Sequence, residues 1–197
     1  MKLKEFIIQY DKENAIVLLE GKRKVLEEDK EKLSELGKLL AENTKHILFR
    51  SGNADGSDLF FAKGVAGVDK KRMQVITPYT GHLKKNNCAG ETIPVDKLDI
   101  VCDSEIAELS KLNVKTKYLI DKYLNGGRDQ YSMKAAYIIR DTVKVTGFKE
   151  INEAAFGIFY DDLSNPKAGG TGHTMRICEQ KDVPLINQRV WFKWLSN

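Results

Sequence analysis

The sequence has no apolar run approaching the about 18 residues that a membrane-spanning helix requires, so a helical membrane protein is not expected. Cysteine is scarce. Cys88, Cys102 and Cys178 are odd in number and widely spaced, which fits neither a disulfide framework nor a zinc site. They read as reduced structural thiols. Histidine is as rare, with three in 197 residues, and no metal site is expected. Residues 1–5 lead into only a few apolar positions, unlike a secretory signal, so a cytoplasmic location is expected. No internal repeat, low-complexity tract or shift in composition divides the chain, and a single domain over residues 1–197 is the expectation. Neither sign of charge dominates. The 32 basic and 28 acidic residues are mostly interspersed and sum to +4, which suits an anionic small ligand and argues only weakly for nucleic acid. The clusters Lys22-Arg23-Lys24 and Lys70-Lys71-Arg72 read as solvated turns.

What the chain does contain is a series of short continuous apolar runs separated by amphipathic segments. Ala15-Ile16-Val17-Leu18-Leu19 has the pattern of a strand buried on both faces, and Ile47-Leu48-Phe49, Met73-Gln74-Val75-Ile76, residues 156–160 and Val183-Pro184-Leu185-Ile186-Asn187 read as the further strands. Phe6-Ile7-Ile8 reads as an added edge strand. Between the strands, Leu33, Leu36, Leu39 and Leu40 recur at helical spacing up to Asn43, and Leu59, Phe60, Ala62, Val65 and Ala66 do the same. Strand, helix and strand in this alternation predict right-handed crossovers and a parallel sheet. Residues 79–146 interrupt the pattern: Thr80 to Asp96 reads as a mobile, lid-like loop, and the rest as helices ending at Gly147. The aromatic end, Val190-Trp191-Phe192-Lys193-Trp194-Leu195, is expected to dock on the body or on a partner subunit.

Two glycine-bearing turns, each placed between a strand and a helix, carry the functional reading. Ala168-Gly169-Gly170-Thr171-Gly172-His173-Thr174 follows the 156–160 run, and its helix is expected to begin at the threonines. Ser51-Gly52-Asn53-Ala54-Asp55-Gly56-Ser57-Asp58 follows the second strand. Glycine lets backbone amides approach a ligand, and a helix N-terminus adds unpaired donors and partial positive charge, a combination suited to phosphate. Both turns are expected at the carboxyl edge of the sheet, where open α/β folds bind ligands. His173 reads either as a hydrogen-bond donor or acid, or as an exposed loop histidine. Asp55 and Asp58 read as ribose ligands or bases, or as helix-capping residues together with Ser57. Arg23 and Arg140 could grip an anion from opposite sides, or form surface ion pairs.

The turn Arg50-Ser51-Gly52-Asn53-Ala54-Asp55-Gly56-Ser57-Asp58, and the later Gly169-Gly170-Thr171-Gly172-His173-Thr174 followed by Pro184-Leu185-Ile186-Asn187, resemble the signature blocks of one Rossmann-like superfamily. It is the SLOG superfamily, shared by DNA-processing protein A and the LONELY GUY phosphoribohydrolases. The nearest-looking branch comprises small phage and bacterial members with an Arg-Asn late in an inserted helix, a place filled here by Arg140-Asp141. The resemblance spans residues 21–187. It implies an α/β three-layer sandwich with a mainly parallel sheet of five strands or slightly more, a helical insertion after the third core strand, nucleotide binding, and a homodimer. The sequence departs from the hydrolase signature: its proline falls at Ala168, its threonine at His173 and its glutamate at Arg176. Arg176 favours an anion where the family's general acid/base stood.

The leading expectation is a protein that binds a nucleotide or another small phosphate-containing ligand and requires no cofactor. The ligand-binding candidates are Gly21, Arg23, Ser51, Gly52, Asp55, Gly56, Asp58, Arg140, Gly169, Gly170, Thr171, Gly172, His173, Thr174 and Arg176. The alternative is a hydrolase of N-glycosidic or phosphoribosyl bonds, with Asp55, Asp58, His173 or Glu179 as its acid or base. Single-stranded nucleic-acid binding is a third reading, one that the interspersed charge does not favour.

Overall fold

Apolar runs with no polar alternation need a helical layer on each face, and the chain supplies both. The computed structural model describes residues 1–100 and 103–196. The elements in order are α1 (Leu3–Tyr10), β1 (Ile16–Gly21), α2 (Lys30–Asn43), β2 (Leu48–Ser51), α3 (Ser57–Asp69), β3 (Met73–Thr77) and β4 (Glu91–Pro94). They continue with α4 (Ser104–Ser110), α5 (Lys117–Leu124), α6 (Met133–Thr146), β5 (Ala154–Tyr160), α7 (Gly169–Gln180), β6 (Leu185–Asn187) and α8 (Gln188–Trp191). The strands of this α/β fold form one all-parallel sheet in the order β4-β3-β2-β1-β5-β6.

The two-residue period of β1 sorts its side chains between the layers. Val17 and Leu19 point to the face covered by α1, α2, α3 and α8, where they join Leu33, Leu36, Phe61 and Trp191. Ile16 and Leu18 point to the opposite face, against Val145 of α6 and Met175, Ile177 and Cys178 of α7. The same face of the sheet, beyond β3, is covered by an apolar group drawn from α4, α5 and α6, including Ile106, Ile120, Ile139 and Val143. The result is a Rossmann-like three-layer sandwich whose inserted helices extend one layer.

Glycines set the closest approach between helices. A Cβ on Gly37 would lie 2.4 Å from the Phe61 carbonyl oxygen, and one on Gly64 would lie 2.0 Å from that of Ser34, so α2 and α3 cross backbone to backbone.

Several expectations are corrected. Phe6-Ile7-Ile8 is helical, because Phe6 and Tyr10 are buried at i, i+4 while Ile8 is 72% exposed, the stripe of an amphipathic helix. The segment Thr80 to Asp96 is not wholly a loop. It contains β4, which pairs with β3 from Gln74↔Glu91 to Thr77↔Pro94. That strand escapes a search for apolar runs because it is a four-residue edge carrying Glu91 and Pro94. The aromatic end docks on the body: Trp191 is fully buried, edge-on to Phe61, and its Nε1 donates to the Phe159 carbonyl at 2.9 Å. Cys178 is a buried free thiol and Cys88 a half-buried one, while Cys102 lies outside the described residues. No helix among the described residues is long and apolar enough to cross a membrane.

Candidate functional site

The strand order reverses direction at β1 and β5, with β2, β3 and β4 to one side and β6 to the other. Loops leaving the carboxyl ends of two such strands diverge and open a crevice. Here it is a cavity of about 360 Å³. Its walls come from the end of β1 (Glu20 to Arg23), the turn after β5 (Asp161 and Asp162) and the first turn of α7 (Gly169 to Thr171). Asp58 from the first turn of α3, and Arg140, Asp141 and Lys144 from α6, complete it.

The loop after β2 is shaped by Asp58. Its Oδ2 accepts the amides of Gly52 at 3.0 Å and Ala54 at 3.3 Å, and its Oδ1 accepts that of Gly21 at 3.3 Å. Asp58 thus ties the β1 and β2 turns together, a use that leaves its carboxylate little capacity for a ribose. Neither Asp55 nor Ser57 caps α3. Gly56 holds the N-cap position at φ +87° with no side-chain cap, Asp55 accepts from Asn86 Nδ2 at 3.1 Å, and Ser57 Oγ donates to the Lys22 carbonyl at 2.7 Å.

The second turn also differs from the expectation. Helix α7 begins at Gly169, so Thr171 to Thr174 are already helical. Its N-cap is Ala168, which has no capping side chain, and the amides of Gly169, Gly170 and Thr171 therefore have no intrahelical partner at the cavity wall. His173 and Thr174 are turned inward. His173 is buried, which lowers its pKa, and its Nε2 lies 3.5 Å from Thr142 Oγ1. Gly172 is needed for packing, since a Cβ there would lie 1.8 Å from the Lys167 carbonyl oxygen. Arg176 donates to that same carbonyl at 3.0 Å, and Glu179 pairs with Lys167 on the surface. Both hold the loop before α7 and neither lines the cavity.

Beneath the cavity lies a buried charge network that motif spacing did not reveal. Period two places Glu20 on the Ile16 and Leu18 side of β1, facing α6. There Lys144 Nζ lies 2.6 Å from both Glu20 carboxylate oxygens and 2.8 Å from Asp141 Oδ1. Arg140 Nη2 lies 2.9 Å from Asp141, its Nη1 donates to the Gly52 carbonyl at 2.6 Å, and its buried Nε has no partner among the described residues. Burial pushes Glu20 up to about 7, with the Lys144 charge opposing and Asp58 and Asp141 reinforcing the rise. Burial also raises Asp58. For Asp141 burial acts upward too, but Arg140 and Lys144 outweigh it and hold the carboxyl below its ordinary range.

Of the residues singled out by sequence, Gly21, Arg23, Asp58, Arg140, Gly169, Gly170 and Thr171 therefore meet at one cavity. Ser51, Gly52, Asp55, Gly56, Gly172, His173, Thr174 and Arg176 stand behind it or beside it. Glu20, Lys144, Asp161 and Asp162 were not foreseen.

Among solved structures, the chain superimposes on DNA processing protein A from Helicobacter pylori with a TM-score of 0.50 at 13% identity, covering 91% of this chain and 67% of that one. The fold is similar to that of DNA processing protein A. That protein binds single-stranded DNA. No family model matches the sequence, and no curated protein matches it. Among the described residues no group of three or more His, Cys, Asp or Glu is placed to hold a metal ion.

Proposed function

We propose that the cavity between β1, β5 and α7 binds the phosphate of a nucleotide-type ligand. The observation that carries this reading is the uncapped first turn of α7 at the cavity wall, which Arg140 also lines. Amide donors and a guanidinium together match the oxygens of a phosphate, and Lys22 and Arg23 add further cations to the lining. The ligand requires no metal in this reading.

The test is Thr171→Glu. A carboxylate in the first turn of a helix favours the helix itself, so the fold is retained, but the added charge occupies the anion position. Isothermal titration with nucleoside monophosphates should show binding to the wild type and at least a tenfold loss in the variant, with Tm unchanged or raised. Unchanged affinity in the variant overturns the assignment of phosphate to α7.

The resemblance in fold to a protein that binds single-stranded DNA supports a second reading, in which the phosphate belongs to a nucleic-acid strand. Affinity that rises with oligonucleotide length and falls steeply with salt supports that source, and length-independent affinity supports a small nucleotide.

A further inference from the structure

Three aromatic rings stand together outside the apolar cores, at the carboxyl edge of the sheet. Tyr79 follows β3, His82 lies on the next turn, and Tyr137 is on α6, one helical turn before Arg140. All three are half-buried. Their centroids are separated by 5.1 Å (Tyr79–His82), 5.5 Å (His82–Tyr137) and 6.2 Å (Tyr79–Tyr137), with interplanar angles of 78°, 86° and 84°. Rings in such edge-to-face contact do not stack on one another. The two tyrosine hydroxyls meet at 3.4 Å.

The cluster is joined to the phosphate cavity by shared residues. The Arg140 guanidinium lies 5.7 Å from the Tyr137 ring centre while its Nη1 holds the Gly52 carbonyl, and Arg140 itself lines the cavity. Asn53, in the same loop as Gly52, donates from Nδ2 to the His82 carbonyl at 3.2 Å. From α7 the order across the edge is thus amide donors, guanidinium, then aromatic rings.

We infer that Tyr79, His82 and Tyr137 form the nucleobase subsite of the ligand whose phosphate occupies the cavity, an inference that rests on the phosphate reading above. A phosphate alone has no use for the rings. A nucleobase does, because every base has a π-face that stacks on tyrosine or a neutral imidazole. Burial, helped by the Arg140 and Arg23 charges, lowers the His82 pKa, so the imidazole is uncharged at neutral pH. Stacking also tolerates any base, so the subsite would confer a preference for nucleotides over sugar phosphates more than a choice among the bases.

The experiment compares AMP, GMP, CMP and UMP with ribose 5-phosphate on the full chain by isothermal titration, for the wild type, Tyr79→Ala, His82→Ala and Tyr79→Phe. The wild type should bind at least one nucleotide about tenfold or more tightly than ribose 5-phosphate. Each alanine variant should lose most of that difference while ribose 5-phosphate affinity stays the same, and Tyr79→Phe, which keeps the ring, should retain it. Equal affinity for nucleotides and ribose 5-phosphate in the wild type overturns the base subsite and leaves the phosphate reading standing. An alanine variant that keeps the wild-type ratio of the two affinities also overturns it, because the ring then contributes nothing to the preference for nucleotides. Binding of neither class of ligand overturns the small-nucleotide form of the phosphate reading, and the base subsite for such a ligand falls with it.

Discussion

Lys144 Nζ lies 2.6 Å from both carboxylate oxygens of Glu20, and both side chains are almost fully withdrawn from water. The pair joins the central strand β1 to α6 directly beneath the cavity. A charge in such a place is tolerable only while its partner is present, because the surviving ion is left desolvated and unpaired. Above pH 7, where Glu20 is ionised, Lys144→Met should therefore destabilise the fold by about 3–5 kcal/mol. Urea denaturation checks this, and the double variant Lys144→Met with Glu20→Leu should recover part of the loss.

Glu20 also gives stability a pH dependence. Its folded pKa, about 7, lies above the ordinary 4.5, so between these values the folded state binds the proton and the unfolded state does not. Stability from this group is complete below about pH 4.5 and is lost as pH rises through 7. In Glu20→Gln that decline should be absent, a difference between the two stability curves of up to a few kcal/mol. Denaturant unfolding at half-unit steps from pH 4.5 to 8 reads it; parallel curves for the two proteins would show that Glu20 does not carry the proton.

The crossing of α2 and α3 separates two glycines of the same helix. Gly64→Ala drives a Cβ to within 2.0 Å of the Ser34 carbonyl oxygen and should destabilise by about 1–3 kcal/mol. At Gly67, three residues on and with nothing within 4 Å, alanine should stabilise by up to about 1 kcal/mol through helix propensity. Thermal unfolding of the two variants should move Tm in opposite directions.

Arg50 is a fully buried cation on β2 that acts as a clamp on backbone. Its Nη1 donates to the carbonyls of Lys144 at 2.9 Å and Asn152 at 2.8 Å, and its Nε to Gln74 Oε1 at 2.5 Å. Desolvation lowers its pKa to about 10, still far above neutrality. Arg50→Met leaves those acceptors unsatisfied and should cost about 2–5 kcal/mol. Hydrogen exchange should quicken first around Asn152, where α6 hands over to β5.

The strands at the centre of the sheet were legible because burial on both faces writes them as unbroken apolar runs. β4 was not, since an edge strand of four residues needs no such run. Phe6-Ile7-Ile8 shows the opposite ambiguity: three apolar residues in a row fit either period, and the exposure of Ile8 between buried Phe6 and Tyr10 settles the helix. The two turns were visible through their glycines, and their meeting at one cavity follows from the sheet order. Their internal roles were less legible. Gly172 serves the Lys167 loop, and His173 faces inward because the helix begins two residues earlier than its threonines suggest. Glu20 had a signal, a lone charge closing an apolar strand. Its meaning depends on Lys144 and Asp141, spaced i, i+3 on a helix more than a hundred residues later.

The sheet order also fixes when the protein can become whole during synthesis. β1 pairs on one side with β2 and on the other with β5, where Val17 meets Phe156. Until β5 emerges, a chain that already holds β1 to β4 has an open hydrogen-bonding edge at β1. Long-range pairing of this kind closes slowly and exposes a sticky edge meanwhile. Translation that stalls before residue 154 should therefore leave a nascent chain prone to aggregation and dependent on chaperones, and the cavity, whose wall at α7 is made last, would exist only in chains that have passed that point.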